Sequence, residues 1–289
     1  MKFNLFNMLC FLAALVLASI DASAQTETEK IDKRLVKLSV DARSGGKREE
    51  VLKKLETVMT NSAATAQQKI SAFTIIIEAH VRDRHPADAI AAAERMDTLL
   101  SGNRQARQLS LTYQVDLLAA GKQYSKAAEK AGLFVNEFPD VKPASVQMRV
   151  RLARFLCDTK SYAACMENAE KALSQVEDND ELMAEALFLA SEGAFRTDKA
   201  EKDAGFLANL TLPRYLEYRK AGEQTVMRQR YVSELKKLGR LDEIIRFCGE
   251  AEKVEDQPAD VRQSWCRTIA ECLAEQGKSA GQVLGQCEK

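Results

Sequence analysis

The feature that most restricts what this chain can fold into is a short junction that returns at an almost constant interval. Gly46-Lys47-Arg48, Arg84-His85-Pro86, Lys122-Gln123-Tyr124, Lys160-Ser161-Tyr162, Asp198-Lys199-Ala200, Gly239-Arg240-Leu241 and Gly277-Lys278-Ser279 look alike, and their last residues lie 38 positions apart except for one step of 41. A period of this size marks a stacked-repeat architecture, in which one supersecondary unit cannot bury its apolar face alone and its neighbours bury it instead.

The columns after each junction say what the unit is. Four positions on stand Leu52, Ile90, Ala128, Met166, Ala204, Ile245 and Val283. Seven on stand Leu55, Ala93, Ala131, Ala169, Leu207, Cys248 and Gln286, and ten on Val58, Met96, Phe134, Ala172, Leu210 and Ala251. Offsets of three and four residues share one face of a helix, and an apolar face must be covered. Before each junction runs a second periodic segment, such as Ile75, Ile76 and Ala79 or Leu152, Phe155 and Leu156. The unit is helix, tight turn, helix. The chain is therefore expected to be all-α, a right-handed α-solenoid of about seven such units.

Composition agrees with this. Only five prolines and thirteen glycines interrupt a chain rich in Ala, Leu, Glu, Lys, Gln and Arg, residues that lose little side-chain freedom in a helix. Thr65 with Gln68, Asp178 with Glu181, and Asp198 with Glu201 read as capping boxes at helix starts. Pro86 and Pro143 suit first-turn positions, and Pro139, Pro213 and Pro258 fall between units.

Gly121, Tyr124, Ala127 and Ala128, followed by Ala131, Phe134 and Pro139, resemble the second half of a tetratricopeptide repeat. Tyr162, Cys165 and Met166 with Ala169, Ala172 and Leu173 are a weaker copy, and the resemblance extends over most of residues 31–287. The helix-A tryptophan and glycine of that family are missing, and the period is four residues longer than the usual 34. The resemblance implies a scaffold that binds proteins or peptides and names no catalytic residue.

The first residues indicate a compartment. Lys2 is followed by an apolar run from Met8 to Ile20, and Ala22-Ser23-Ala24 offers the small-x-small pattern that signal peptidase reads. A signal peptide over 1–24 and a single exported domain over 25–289 are expected, in a periplasm or secreted. The run is too short to span a bilayer, and Cys10 lies within it rather than at the cleavage point. The sequon Asn209-Leu210-Thr211 matters only in a eukaryotic secretory pathway.

Six cysteines follow the leader: Cys157, Cys165, Cys248, Cys266, Cys272 and Cys287. An even number in an exported chain favours disulfides, with fifteen connectivities open to sequence alone. Residues that face each other in a helical hairpin are equidistant from its turn. That rule pairs Cys157 with Cys165, Cys248 with Cys266, and Cys272 with Cys287. Cys266 and Cys272, about 240° apart around a helix, cannot face the same neighbour. Closing loops of about 15 residues is worth roughly 3 kcal/mol each.

Chemistry is harder to find. No G-x-S-x-G elbow, H-E-x-x-H motif, C-x-x-C pair or zinc-like Cys–His spacing occurs. Gly277-Lys278-Ser279 resembles the end of a phosphate-binding loop, but Cys272 stands where the upstream glycine is required. His80 and His85, five residues apart, do not share a helix face. The chain is expected to be no enzyme and to hold no cofactor or metal. Forty-two basic residues balance forty-two acidic ones, so net charge gives nucleic-acid binding no support.

A partner is expected on the outward stripe of the first helices, the surface that solenoids use for docking. Carried onto those helices, the repeat register points out Thr74, Glu78, Thr112, Asp116, Gln147, Arg151, Arg154, Phe188, Glu192, Gln229, Ser233 and Lys236. Residues 167–203 carry eleven acids against four bases, and 214–246 nine bases against five acids. Such opposite fields would steer a charged protein or peptide partner, or order self-association. Two functions stay open: an adaptor in envelope assembly or secretion, and a protein that binds or hydrolyses cell-wall or saccharide material.

Overall fold

A computed structural model describes residues 26–44, 48–252, 259–279 and 281. The expected leader with Cys10 lies outside these residues, as do Gly46, Lys47, Pro258, Val283, Gln286 and Cys287. Among the described residues every regular element is helical, and the fold is an all-α solenoid. They fall into two compact units, one ending at Ala106 and one beginning at Arg107.

The first unit contains α1 (Glu27–Arg43), α2 (Arg48–Thr60), α3 (Ala66–Arg82) and α4 (Pro86–Leu99). α1 packs on α2 and α3, α2 on α3, and α3 on α4. Ile31, Leu35, Leu55, Val58, Phe73, Ile77, Ala93 and Met96 fill the space between them. Thr65 and Gln68 form the expected reciprocal cap at the start of α3.

The second unit contains α5 (Arg104–Ala120) from Arg107 on, α6 (Tyr124–Glu137), α7 (Ala144–Asp158), α8 (Tyr162–Leu173), α9 (Asp180–Arg196), α10 (Ala200–Leu210), α11 (Pro213–Leu216), α12 (Ala221–Lys237), α13 (Leu241–Glu252) and α14 (Ala259–Glu275). From α6 to α11 each helix packs on the next, α12 packs on α10 and α13, and α13 on α14; α7 also packs on α9, first helix against first helix.

The second helices begin at residues 48, 86, 124, 162, 200 and 241, the last residues of the first six junctions. The turn itself explains why the junction repeats. Arg84, Lys122, Lys160, Asp198, Gly239 and Gly277 all have positive φ, between 54° and 71°. The next residue in each case donates its backbone N–H to the carbonyl five positions back: His85 to His80, Gln123 to Leu118, Ser161 to Leu156, Lys199 to Ala194, Arg240 to Leu235, Lys278 to Leu273. That is the Schellman closure of a helix C-terminus, reused in turn after turn. The long step has a local cause too. α11 is inserted between α10 and α12 and buries Tyr215 and Leu216 against the core.

Four of these turns place a side chain where glycine is the unstrained residue. An L-residue in the left-handed region is disfavoured by about 1–2 kcal/mol. Lys122→Gly is therefore expected to raise stability by about 0.5–1 kcal/mol, after about 0.5–1 kcal/mol of extra glycine chain entropy is subtracted. Thermal unfolding measured beside wild type checks it; an unchanged or lower midpoint refutes it.

Two expected caps are replaced by others. Asp178 and Asp198 do not cap helices; both have positive φ. Asn179, one residue later than expected, accepts from Leu182 N at the start of α9. Lys199 is the N-cap residue of α10, with no side-chain cap bond. Asp198, which closes α9 in a left-handed conformation, is not placed to open α10.

The column seven residues after each junction is the innermost. Leu55, Ala93, Ala131, Ala169, Leu207 and Cys248 are all fully buried. Cys157 and Cys165 are joined across the α7–α8 turn, with an S–S distance of 2.09 Å. The other expected pairings fail: Cys248 and Cys272 are free and buried, whereas Cys266 is disulfide-bonded. Both free thiols belong to one apolar cluster with Trp265 and Ile269, where they act as small apolar side chains. Burial pushes the Cys248 thiol up to about 12, which keeps it protonated and unreactive at neutral pH.

Candidate docking face

In the first unit, the outward stripe of α3 contains Thr74 and Glu78, both half-buried. Burial pushes the Glu78 carboxyl up, against the pull of Arg43 and Arg82.

In the second unit the outward stripe of the first helices is a series of ion pairs that link one helix to the next. Thr112 on α5 is turned to its own helix, where it donates to Gln108 O. Asp116, one turn further, accepts from Arg151 of α7. Arg154, one turn beyond Arg151, pairs with Glu185 of α9, and the same carboxylate takes Arg219 at 3.0 Å. Burial pulls the Arg154 guanidinium down, Asp158 opposes this and Arg219 adds to it. Arg219 also donates to Ala184 O and lies 4.5 Å above the Phe188 ring.

Two turns along α9 from Glu185, Glu192 accepts from Arg196 and from Arg230 of α12. Burial raises its carboxyl, but the bonds and charges of the two guanidinium groups outweigh burial and hold it below the usual range. Arg230 sits 4.5 Å from the Phe195 ring, with Lys237 and Arg196 at 5.8 Å. On α12 and α14, Lys236 donates to Glu271, whose carboxylate raises the Lys236 ammonium. Gln147, Gln229 and Ser233 are exposed, as the register requires.

Most of the charged residues predicted for this stripe have partners within the unit. Asp116 pairs with Arg151, Arg154 with a residue of α9, and Glu192 with a residue of α12. These pairs are partly buried, so solvent weakens them only in part and what they lose in desolvation offsets much of what they gain. Their consequence is geometric. They fix long side chains in place, so less freedom is lost when a partner settles on them.

Glu185, Phe195, Arg219 and Arg230 belong to this face and were not in the predicted set. A signal existed for two of them: Arg219 follows Glu185 by 34 residues and Arg230 follows Glu192 by 38, close to one repeat. Among the described residues no group of His, Cys, Asp and Glu is arranged to hold a metal ion. No helix among them is long and apolar enough to cross a membrane.

No family model and no curated protein matches the chain. Solved structures do. The apo form of RapI superposes with a TM-score of 0.54 at 12% identity, over 91% of this chain and 75% of that one. A STAND signal-transduction ATPase with a tetratricopeptide repeat sensor from Pyrococcus horikoshii gives 0.49 at 11% identity, over 88% and 41%. A tetratricopeptide repeat protein from Parabacteroides merdae gives 0.48 at 11% identity, over 90% and 93%. At these identities the likeness is one of fold alone, and RapI carries it.

Proposed function

We propose that this chain is an exported helical-repeat scaffold, acting in a bacterial periplasm as an accessory to envelope assembly or secretion. It binds a protein or peptide on the outward stripe of its first helices and catalyses no reaction. Export is supported by Lys2, the Met8 to Ile20 run and Ala22-Ser23-Ala24. The observation that carries the docking reading is the stripe itself. The exposed Phe195 ring lies against Arg230, which Glu192 holds, whereas Phe188 and Arg219 beside them are largely buried. Aromatic and arginine side chains held rigidly at a surface are the residues that dominate binding energy at protein interfaces.

Arg151→Glu alone would test stability and docking together, because it also breaks the pair with Asp116. The exchange Asp116→Arg with Arg151→Glu keeps an ion pair while it transposes the charges of the face. Crosslinked capture from the native envelope is expected to recover specific proteins with wild type and to lose them with the exchange variant, whose thermal unfolding stays within about 1 kcal/mol of wild type. Recovery of the same proteins by both would overturn the docking face. Enrichment of wild type on purified peptidoglycan, with no protein recovered, would overturn the scaffold reading.

A further inference from the structure

The chain contains two histidines, and both converge on one carboxylate at the end of α3. His80 Nδ1 lies 3.8 Å from Asp88 Oδ2, and His85 Nδ1 lies 3.3 Å from the same oxygen. Arg48, the first residue of α2, places its Nη2 3.0 Å from His80 Nδ1 and its Nε 2.8 Å from Asp83 Oδ2. A guanidinium can only donate. His80 Nδ1 must therefore present a lone pair, which makes the ring neutral with its proton on Nε2. This contact and the Arg48–Asp83 pair tie the start of α2 to the end of α3.

Protonated at Nδ1, the ring would confront Arg48 with a second donor and a second positive charge at hydrogen-bond distance. Asp88 stands on the other side as an acceptor. We propose that this cluster is an acid-sensitive latch between the two hairpins of the first unit: protonation of His80 expels Arg48, turns the imidazolium to Asp88, and frees the start of α2 from the end of α3. Gln68 at the opposite end of α3 stays bound to Thr28 O and Asp32 Oδ1 of the first hairpin, so the opening is confined to the turn end.

The charged groups around this end of α3 are Arg43 from α1, Arg48 from α2, Asp83 at the turn, His85 and Asp88 at the start of α4, and Glu78 and Arg82 on α3 itself. Burial pulls His80 below the ordinary imidazole range; Arg48 adds to this and Asp88 opposes it, with smaller effects from His85 downward and Asp83 upward. A depressed folded value means stability that is complete above the unfolded pKa of about 6.5 and is lost as pH falls through the folded value. Glu78 has the opposite sign. Its raised value makes protonation favour the folded state.

Hydrogen exchange of the full chain at about pH 7 and about pH 5, corrected for intrinsic rates, tests the latch. Protection over residues 48–60 is expected to fall about tenfold or more in acid. His80→Gln keeps an acceptor for Arg48 but cannot take up the proton, so its protection there is expected to be the same at both pH values. His85→Gln is expected to respond as wild type does. Equal loss in His80→Gln, or no loss in wild type, overturns the proposal. Nitrogen-15 spectra of wild type give an answer that needs no variant: the Nε2–H tautomer of His80 is expected at neutral pH, and an Nδ1–H tautomer overturns the latch.

Discussion

Gly193→Ala is expected to lower the unfolding free energy by about 3 kcal/mol, the reverse of what helix propensity alone would give. A Cβ at residue 193 would stand 2.8 Å from Met166 Cβ and from Tyr162 O, and 2.9 Å from Met166 N. Two of those three atoms are backbone and cannot rotate away. They belong to α8, and the seam between α8 and α9 is built for close approach: Cys165, Ala169 and Ala172 on one side meet Ala186 and Ala190 on the other. Room for one more methyl group there requires the two helices to part along a seam whose small side chains leave nothing to refill the gap. Gly205→Ala is the control, because a Cβ at that position in α10 meets nothing within 4 Å. It is expected to raise stability by about 0.5–1 kcal/mol through helix propensity. Urea unfolding of both variants beside wild type checks the pair. If Gly193→Ala also stabilised, the close α8–α9 approach would be wrong.

Helix starts and the buried columns could be read from the sequence because each is decided within a few residues. A Schellman turn is local, so its recurrence leaves a visible junction, and the apolar face that follows has to repeat at three and four residues whatever it packs on. Leu55, Ala93, Ala131, Ala169, Leu207 and Cys248 were legible for this reason. The face was legible only as a stripe. Which of its side chains pair with each other depends on how one first helix lies against the next, a relation between residues 31 to 38 apart that no local pattern records. The cysteines show the same limit. Equidistance from a turn pairs Cys248 with Cys266, yet Cys248 occupies the innermost column and turns inward beside Cys272. What sequence did not show was that Cys272, rather than Cys266, shares the apolar cluster of Cys248.

Arg230→Ala is the second large effect, and its size follows from a carboxylate in a column where other units place an apolar residue. Three positions after the first six junctions stand Val51, Ala89, Ala127, Cys165 and Ile244, and Asp203 takes that position at the start of α10. Its side chain is 0% exposed. It accepts from Ser191 Oγ at 2.6 Å and from Arg230 Nε and Nη2 at 3.0 and 2.8 Å, so both oxygens are met by a fork of donors. Removal of the arginine leaves a charge with no route to water, at an expected cost of about 3–5 kcal/mol. The reverse substitution is milder. In Asp203→Ala the guanidinium keeps Glu192 at 3.0 Å and the Phe195 ring, and its side chain is 18% exposed, so a loss of about 2 kcal/mol is expected. Arg230→Lys falls between wild type and Arg230→Ala, because an ammonium restores the charge without the planar fork. In the double variant the losses are not additive: once the arginine is gone, Asp203→Ala removes the stranded carboxylate and recovers part of the stability. Chemical unfolding of the two single variants and the double variant measures this coupling. If Arg230→Ala cost no more than an exposed ion pair, under about 1 kcal/mol, Asp203 would have to be solvated rather than enclosed.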